Sequence, residues 1–181
     1  MDFITSDIHF SHKNIMKFCP VSRAFGEDDV DKMDEEIIRR WNSVVQPNDH
    51  TYILGDVAFC NAEKAVRYLK RLNGNKTLIR GNHDVKLIND RAFCNEFDAI
   101  QDYYSLTVDK TKVIMFHYPI CEWDQMHRGS VHFHGHLHGG KSGMEKYRCI
   151  DVGMDSYNCY PMQLSTAIDT ALKGEIKSHH H

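Results

Sequence analysis

Thr77-Leu78-Ile79-Arg80-Gly81-Asn82-His83-Asp84 is a short apolar β-type run that stops on Asn82-His83-Asp84, side chains that bind metals or move protons. The same construction recurs on both sides of it. Phe3-Ile4-Thr5 leads into Asp7-Ile8-His9, and Thr51-Tyr52-Ile53-Leu54 leads into Gly55-Asp56. Downstream, Lys112 to Phe116 ends at His117, and Val131 to His134 runs into Gly135-His136-Leu137-His138. A lone His or Asp is usually structural. Five such strand ends in order have a shared explanation, because ligands of open α/β sheets bind beyond the carboxyl ends of the strands.

The segments between these runs set the fold class. Val30, Met33, Ile37, Ile38, Trp41, Val44 and Val45 fall at helical spacing after the capping-type residues Asp28 and Asp29. Ala62, Ala65, Val66, Leu69 and Leu72 repeat the pattern and stop at Asn73-Gly74, as at a helix C-terminal cap. This β-α-β-α-β order implies parallel strands joined by right-handed crossovers. The second half is richer in strands. Tyr103 to Val108 and Lys112 to Phe116 flank Asp109-Lys110 as a hairpin, Tyr147 to Val152 is a further strand, and this half reads as antiparallel. A C-terminal helix is expected over Thr166 to Leu172. The expectation is an α/β fold in a single domain over residues 1–177, with Ser178 and the three terminal His as a purification-tag remnant.

Composition narrows the function classes. With 181 residues, 41% hydrophobic and 26% charged, the chain has the makeup of a soluble one-domain protein. A net charge of −3 gives no overall basic field for a nucleic-acid backbone, and no extended nucleic-acid surface is evident. Bound divalent cations would reverse that sign locally. Cys19, Cys60, Cys94, Cys121, Cys149 and Cys159 form no C-x-x-C pair, so they read as reduced thiols. No run of eighteen apolar residues suggests a membrane span, and Asp7 already belongs to the first motif, which leaves no room for a leader; the expected location is the cytoplasm.

Each segment has a bland reading beside its chemical one. Asp7-x-His9 alone is a surface turn; together, a carboxylate and an imidazole two apart on extended backbone would point the same way and suit Mn²⁺, Fe²⁺ or Zn²⁺. Gly55-Asp56 alone is a common turn, yet a carboxylate there has two oxygens with which to bridge two metals. Gly81-Asn82-His83-Asp84 reads as an Asx-turn with a helix cap, or as an amide ligand beside a proton-transfer group. In the second reading Asp84 orients the His83 imidazole and raises its pKa. His117 by itself is a satisfied core histidine. His136 and His138, again two apart, have a spacing that splits them between adjacent metals.

The ordered set D-x-H, G-D, G-N-H-D, H and G-H-x-H resembles the calcineurin-like metallophosphoesterase superfamily over about Asp7 to Val152. Asp7-Ile8-His9-Phe10-Ser11-His12-Lys13-Asn14-Ile15, Trp41-Asn42 and Asp151-Val152-Gly153 are similar to short stand-alone bacterial and phage members. The resemblance implies a two-sheet β-sandwich flanked by helices in four layers. It implies two divalent metal ions, Mn²⁺ foremost, with Fe, Zn, Ni and Co as alternatives. Asp7, His9 and His138 would hold one metal; Asn82, His117 and His136 the other; Asp56 would bridge. His83 would be the proton donor and Asp84 its partner. The implied reaction is hydrolysis of a small phosphodiester, nucleotide-like or cyclic-nucleotide-like, by a dimetal-activated hydroxide. A nucleotide phosphomonoesterase with the same site is the alternative.

Other residues carry less. His12, Lys13, Arg23 and Arg80 are candidates for substrate phosphate contacts, with surface placement or an ion pair as the competing reading. His132 and His134 alternate with His136 along one strand, as ordinary strand residues or as supports for the ligands. Readings from other classes are an interaction scaffold of the same fold and simple metal sequestration. The scaffold would have lost ligands, and none is missing; sequestration gives His83-Asp84 no task.

Overall fold

The computed structural model describes residues 1–178; of the tag expectation, His179 to His181 lie outside the described residues. Four strands follow one another across the first sheet: β1 (Asp2–Thr5), β2 (His50–Ile53), β3 (Asn75–Ile79) and β4 (Ala99–Gln101). All pair in parallel in the order β4-β3-β2-β1. The second sheet holds β5 (Tyr103–Val108), β6 (Thr111–Phe116), β7 (Val131–His134) and β8 (Cys149–Asp151). A two-residue β9 (Met162–Gln163) returns to the first sheet, antiparallel to β1.

The expected antiparallel second half is corrected by this topology. Within the second sheet only the β5–β6 hairpin is antiparallel; β6–β7 and β7–β8 are parallel. Parallel neighbours need a crossover of a dozen or more residues. Segments 117–130 and 135–148 supply it, and each begins with a metal-type motif at the end of its strand.

The central strands β1, β2 and β3 are buried on both faces, which is why they read as unbroken apolar runs. Phe3, Ile53 and Leu78 point into one cluster with Met33, Ile37, Trp41, Ala65 and Leu69. Those partners belong to helices α2 (Val30–Val44) and α3 (Ala62–Leu69), which follow a four-residue α1 (Ile15–Phe18). Ile4, Tyr52, Leu54 and Ile79 point the other way and meet Val113, Met115, Val131 and Phe133 of the second sheet. After a one-turn α4 (Arg91–Cys94), the last helix α5 (Leu164–Ala171) closes this inter-sheet core with Leu164, Ala167, Ile168 and Ala171. The fold is thus α/β, with two sheets flanked by helices.

The helix starts follow capping chemistry. Asp29 accepts from the amides of Asp31 and Lys32, and Asn61 from that of Lys64. Helix α3 ends one turn before the expected cap. Lys70 to Leu72 continue as turns, and Gly74, at φ +83°, makes the bend into β3 where a Cβ would lie 2.9 Å from the Asp49 carbonyl oxygen. All six cysteines are unpaired. Among the described residues no helix is long and apolar enough to cross a membrane.

Candidate metal centre

The loops after β1, β2, β3, β6 and β7 converge at one end of the sandwich. They are stitched together by backbone bonds: Asp7 N–H to Gly55 O at 3.0 Å, His9 N–H to Asp56 O at 3.0 Å, and Gly135 N–H to His117 O at 3.0 Å. The extended backbone expected at Asp7 and His9 is not what brings them together. Asp7, His9 and Asp56 each have φ +56°, with His136 at +71° and His138 at +50°. Left-handed backbone at non-glycine residues costs on the order of 1–3 kcal/mol each and persists where surroundings over-determine it. Five of the candidate ligands share this backbone conformation, which turns their side chains toward one another at the strand ends.

Two clusters result. Asp7, His9 and His138 form one, and Asp56, His117 and His136 the other, with the ligand-type atoms of each within 4.8 Å of one another. Asp56 Oδ2 lies between them, 3.7 Å from His9 Nε2 and 3.7 Å from His117 Nε2. Asp7 Oδ1 is 3.8 Å from His9 Nε2 and 4.0 Å from His138 Nε2. Asn82 Oδ1 joins the second cluster, 2.9 Å from His117 Nε2. The sequence-predicted ligands Asp7, His9, Asp56, Asn82, His117, His136 and His138 are therefore together.

The donor set fits a divalent cation. Asp7 Oδ1 and His9 Nε2 are fully buried with no hydrogen-bond partner. Buried polar atoms are seldom left so. Separations of 3.7–4.0 Å are too long for hydrogen bonds, and they stay within the roughly 4.2 Å that two donors about 2.1 Å from one ion can span. The other ring nitrogen of three of these imidazoles is held. His117 Nδ1 donates to Leu54 O at 2.6 Å, His138 Nδ1 meets Asp155 Oδ2 at 2.7 Å, and His9 Nδ1 meets His12 Nδ1 at 3.0 Å. Anchoring Nδ1 selects the tautomer that leaves Nε2 for a metal.

The ionisable groups of the site also act on one another. Burial works to raise the Asp7 pKa, but the neighbouring imidazoles of His9, His138 and His117 hold it low. Burial lowers the His9 pKa and keeps the ring neutral. At His138 burial is overcome by the Asp155 hydrogen bond and the Asp7 charge, and the pKa rises to about 10. Asp155 is itself held well below the usual carboxylate range: its burial is outweighed by bonds from His138 and Arg23.

Several expected roles change. Arg23 is no substrate contact: its guanidinium is buried, donates to the carbonyls of Asp7 and Ile8 at 2.8 Å each, and pairs with Asp155 at 2.8 Å. Arg80 takes the ion-pair alternative, with Asp102 at 2.8 Å. Asp84 does not orient the His83 ring. Its buried carboxylate accepts from the amides of Asp56, Val57 and Gly81 at 2.8–2.9 Å, pinning the loops that carry Asp56 and Asn82. His83 is held instead through its own amide, which donates to Asp56 Oδ1 at 2.9 Å. Its ring, 45% exposed, has Nε2 3.9 Å from Asp56 Oδ2 and faces open space. His12 does reach the site, stacked on Phe59 at 3.8 Å; burial and the neighbouring His9 lower its pKa to about 4. His132 is a core residue bonded to Ile114 O and the Ile120 amide, and His134 bonds to Gly135 O.

Asp155 is the functional residue that sequence reading missed. It lies two residues beyond Asp151-Val152-Gly153, in the single turn Met154–Ser156, and no spacing announces it. Gly135 is a second case. A Cβ there would fall 1.9 Å from Ser6 Oγ and 2.4 Å from Asp7 Oδ2. Gly135→Ala is expected to displace the Asp7 carboxylate and lower metal content, with the far-UV circular dichroism spectrum unchanged. Elemental analysis of the purified variant measures it; wild-type metal content would refute the close-approach role.

An α/β sandwich with two adjoining carboxylate–imidazole clusters at its strand ends defines a metallophosphoesterase. The model of the calcineurin-like phosphoesterase family matches residues 3–163, and the chain belongs to that family. It is 30% identical over 183 residues to an uncharacterized protein of Methanocaldococcus jannaschii, covering 96% of this chain and 93% of that one. It is 27% identical to the Gene 66 protein of Mycobacterium phage L5, covering 86% of each. A solved protein of unknown function from Aquifex aeolicus superposes with a TM-score of 0.70 at 26% identity, covering 90% of this chain and 94% of that one.

Proposed function

We propose that this chain is a dinuclear metal-dependent phosphoester hydrolase that cleaves a small, nucleotide-like phosphodiester. The observation that carries the reading is Asp56 Oδ2, poised between His9 and His117 at 3.7 Å from each, beside the unpartnered buried atoms Asp7 Oδ1 and His9 Nε2. Asp7, His9 and His138 would hold one cation and Asn82, His117 and His136 the other, with Asp56 shared. When bound, two such cations supply the Lewis acidity that lowers the pKa of a water and offsets charge building on phosphoryl oxygens. Mn²⁺ suits this mixed oxygen and imidazole set.

The chain's own residues do the rest. Its buried carboxylates and anchored imidazoles fix the ligand positions before substrate arrives, which is the preorganisation that electrostatic catalysis needs. His83 holds a proton at an exposed Nε2 and delivers it to the departing oxygen. The hydrogen bond donated by the His83 backbone N–H to Asp56 Oδ1 sets how far the ring stands from the metal ligands. A diester is favoured over a monoester by charge. The cleft over His9, His83 and His138 is lined by no Lys or Arg, Arg23 is buried, and Arg80 is paired with Asp102. A monoanionic diester needs less compensation there than a dianionic monoester.

Hydrolysis of bis-p-nitrophenyl phosphate and p-nitrophenyl phosphate with added Mn²⁺, with and without chelator, tests this. Chelator-sensitive turnover with the diester preferred is the expected result; a preferred monoester would select the phosphatase reading, and no turnover with any metal the scaffold. His83→Ala is expected to keep its metal content and lose about 10²–10⁴-fold in rate on diesters with poor leaving groups, the range of general acid catalysis. Full activity on such a substrate would remove His83 from the proton-donor role.

A further inference from the structure

We infer that the cleft beside the metal ligands contains a stacking subsite for a neutral planar group, the nucleobase of the substrate, with Phe18 and the His12–Phe59 pair as its wall. The inference rests on the phosphodiesterase reading above and names where the substrate's organic part lies.

His12 and Phe59 stack at 3.8 Å with their planes 9° apart, and Phe18 stands edge-on to His12 at 6.3 Å. Phe59 continues the surface to His83, 4.4 Å away. Leu137, between the ligands His136 and His138, lines the same cleft. One continuous aromatic wall therefore runs from the proposed proton donor to the end of α1.

Burial adds a second, independent observation. Phe18 is 71% exposed, and Val21, on the turn that follows, is 91% exposed. Bulky apolar side chains are left in water here, within the cleft that His9 and His138 floor and on the turn beside it. The cleft measures about 590 Å³, far more than a phosphoryl group fills. Its lining has no Lys, Arg, Asp or Glu, and beyond the His9, His83 and His138 end, where the phosphate would sit, it offers Ile15, Phe18, Phe59 and Leu137, which give neither a second phosphate nor a cationic group a counter-charge. A flat uncharged ring system joined to the phosphate at the metal ligands matches all of these features, because every base has a π-face that stacks on aromatic side chains.

Titration calorimetry with adenosine 5′-monophosphate and ribose 5-phosphate isolates the base, since the two ligands share sugar and phosphate. Wild-type protein loaded with Mn²⁺ is expected to bind the nucleotide about 5- to 100-fold more tightly, the range of one base–aromatic stack. Phe18→Ala, at an exposed position that leaves the core untouched, is expected to shrink that ratio several-fold, and Phe59→Leu to do the same. Equal affinities in the wild type, or a ratio unmoved in both variants, would overturn the subsite. An exposed Phe18 that instead seats a second copy of the chain would show as equal ligand affinities with dimer dissociation in Phe18→Ala, which also overturns it. Hydrolysis of bis-p-nitrophenyl phosphate is measured in parallel: its absence counts against the enzyme reading, whereas the affinity ratio judges the subsite whether or not turnover is seen.

Discussion

Asp56→Asn is expected to reduce metal-dependent hydrolysis about a thousandfold, roughly 4 kcal/mol of transition-state stabilisation. The carboxylate stands between both clusters, and its two oxygens have separate tasks. Oδ2 faces His9 and His117, while Oδ1 accepts the His83 amide at 2.9 Å. An asparagine of the same shape still offers one oxygen and keeps the packing, but it has no charge to share between two cations. The loss should thus be in kcat and in metal content together, with the denaturation midpoint of the metal-free protein little changed. Activity assays over a Mn²⁺ titration measure it. If excess Mn²⁺ restored full kcat, Asp56 would be a dispensable ligand rather than the shared one.

The second large effect falls on a residue that is not itself a predicted ligand. Asp155→Ala is expected to destabilise the protein by about 3–5 kcal/mol, the cost of leaving a buried charge without its partner. Arg23 would keep its guanidinium against the carbonyls of Asp7 and Ile8 with no carboxylate to balance it. That is a large part of the roughly 5–15 kcal/mol that typically separates folded from unfolded chains. His138 would lose the bond on Nδ1 that aims Nε2 at Asp7. Removal of such a support lowers metal affinity about 10–100-fold. Denaturant midpoints at constant slope give the first number and metal titrations the second. Asp155→Asn keeps a hydrogen-bonding group without the charge and should fall between. Wild-type stability in Asp155→Ala would show that the Arg23 pair does not hold the first ligand loop.

Arg23 and Asp155 also show where sequence reading stops. The clustering of the candidate ligands was legible because chemistry limits the choice: Asp, Asn and His at strand ends are an unusual text, and parallel topology gives them one place to meet. The strands themselves were legible because burial on both faces, as in Phe3-Ile4 and Ile53-Leu54, leaves unbroken apolar runs. Strand direction in the second sheet was not. Alternation in Tyr103 to Val108 gave the hairpin, but nothing in segments 117–130 or 135–148 marks them as crossovers, since they carry no regular helix.

Arginine is usually exposed, so Arg23 looked like a phosphate contact. Only the fold shows that Asp155 comes round to neutralise it, from a turn more than a hundred residues away. Asp84 misled for a related reason. Adjacency to His83 suggested contact, yet a carboxylate that buries itself can gather three amides from neighbouring loops. The left-handed backbone at Asp7, His9 and Asp56 was equally hidden, because local propensity disfavours it and only the completed site holds it in place.

The central claim is a pair of cations sharing Asp56. Electron paramagnetic resonance of the protein titrated with Mn²⁺, alongside elemental analysis, addresses it directly. Two Mn²⁺ per chain are expected, with the exchange-coupled multiline spectrum of ions joined by a common ligand. In Asp56→Asn that coupling should vanish. One ion per chain, or two with the six-line spectra of isolated Mn²⁺ in the wild type, would contradict it.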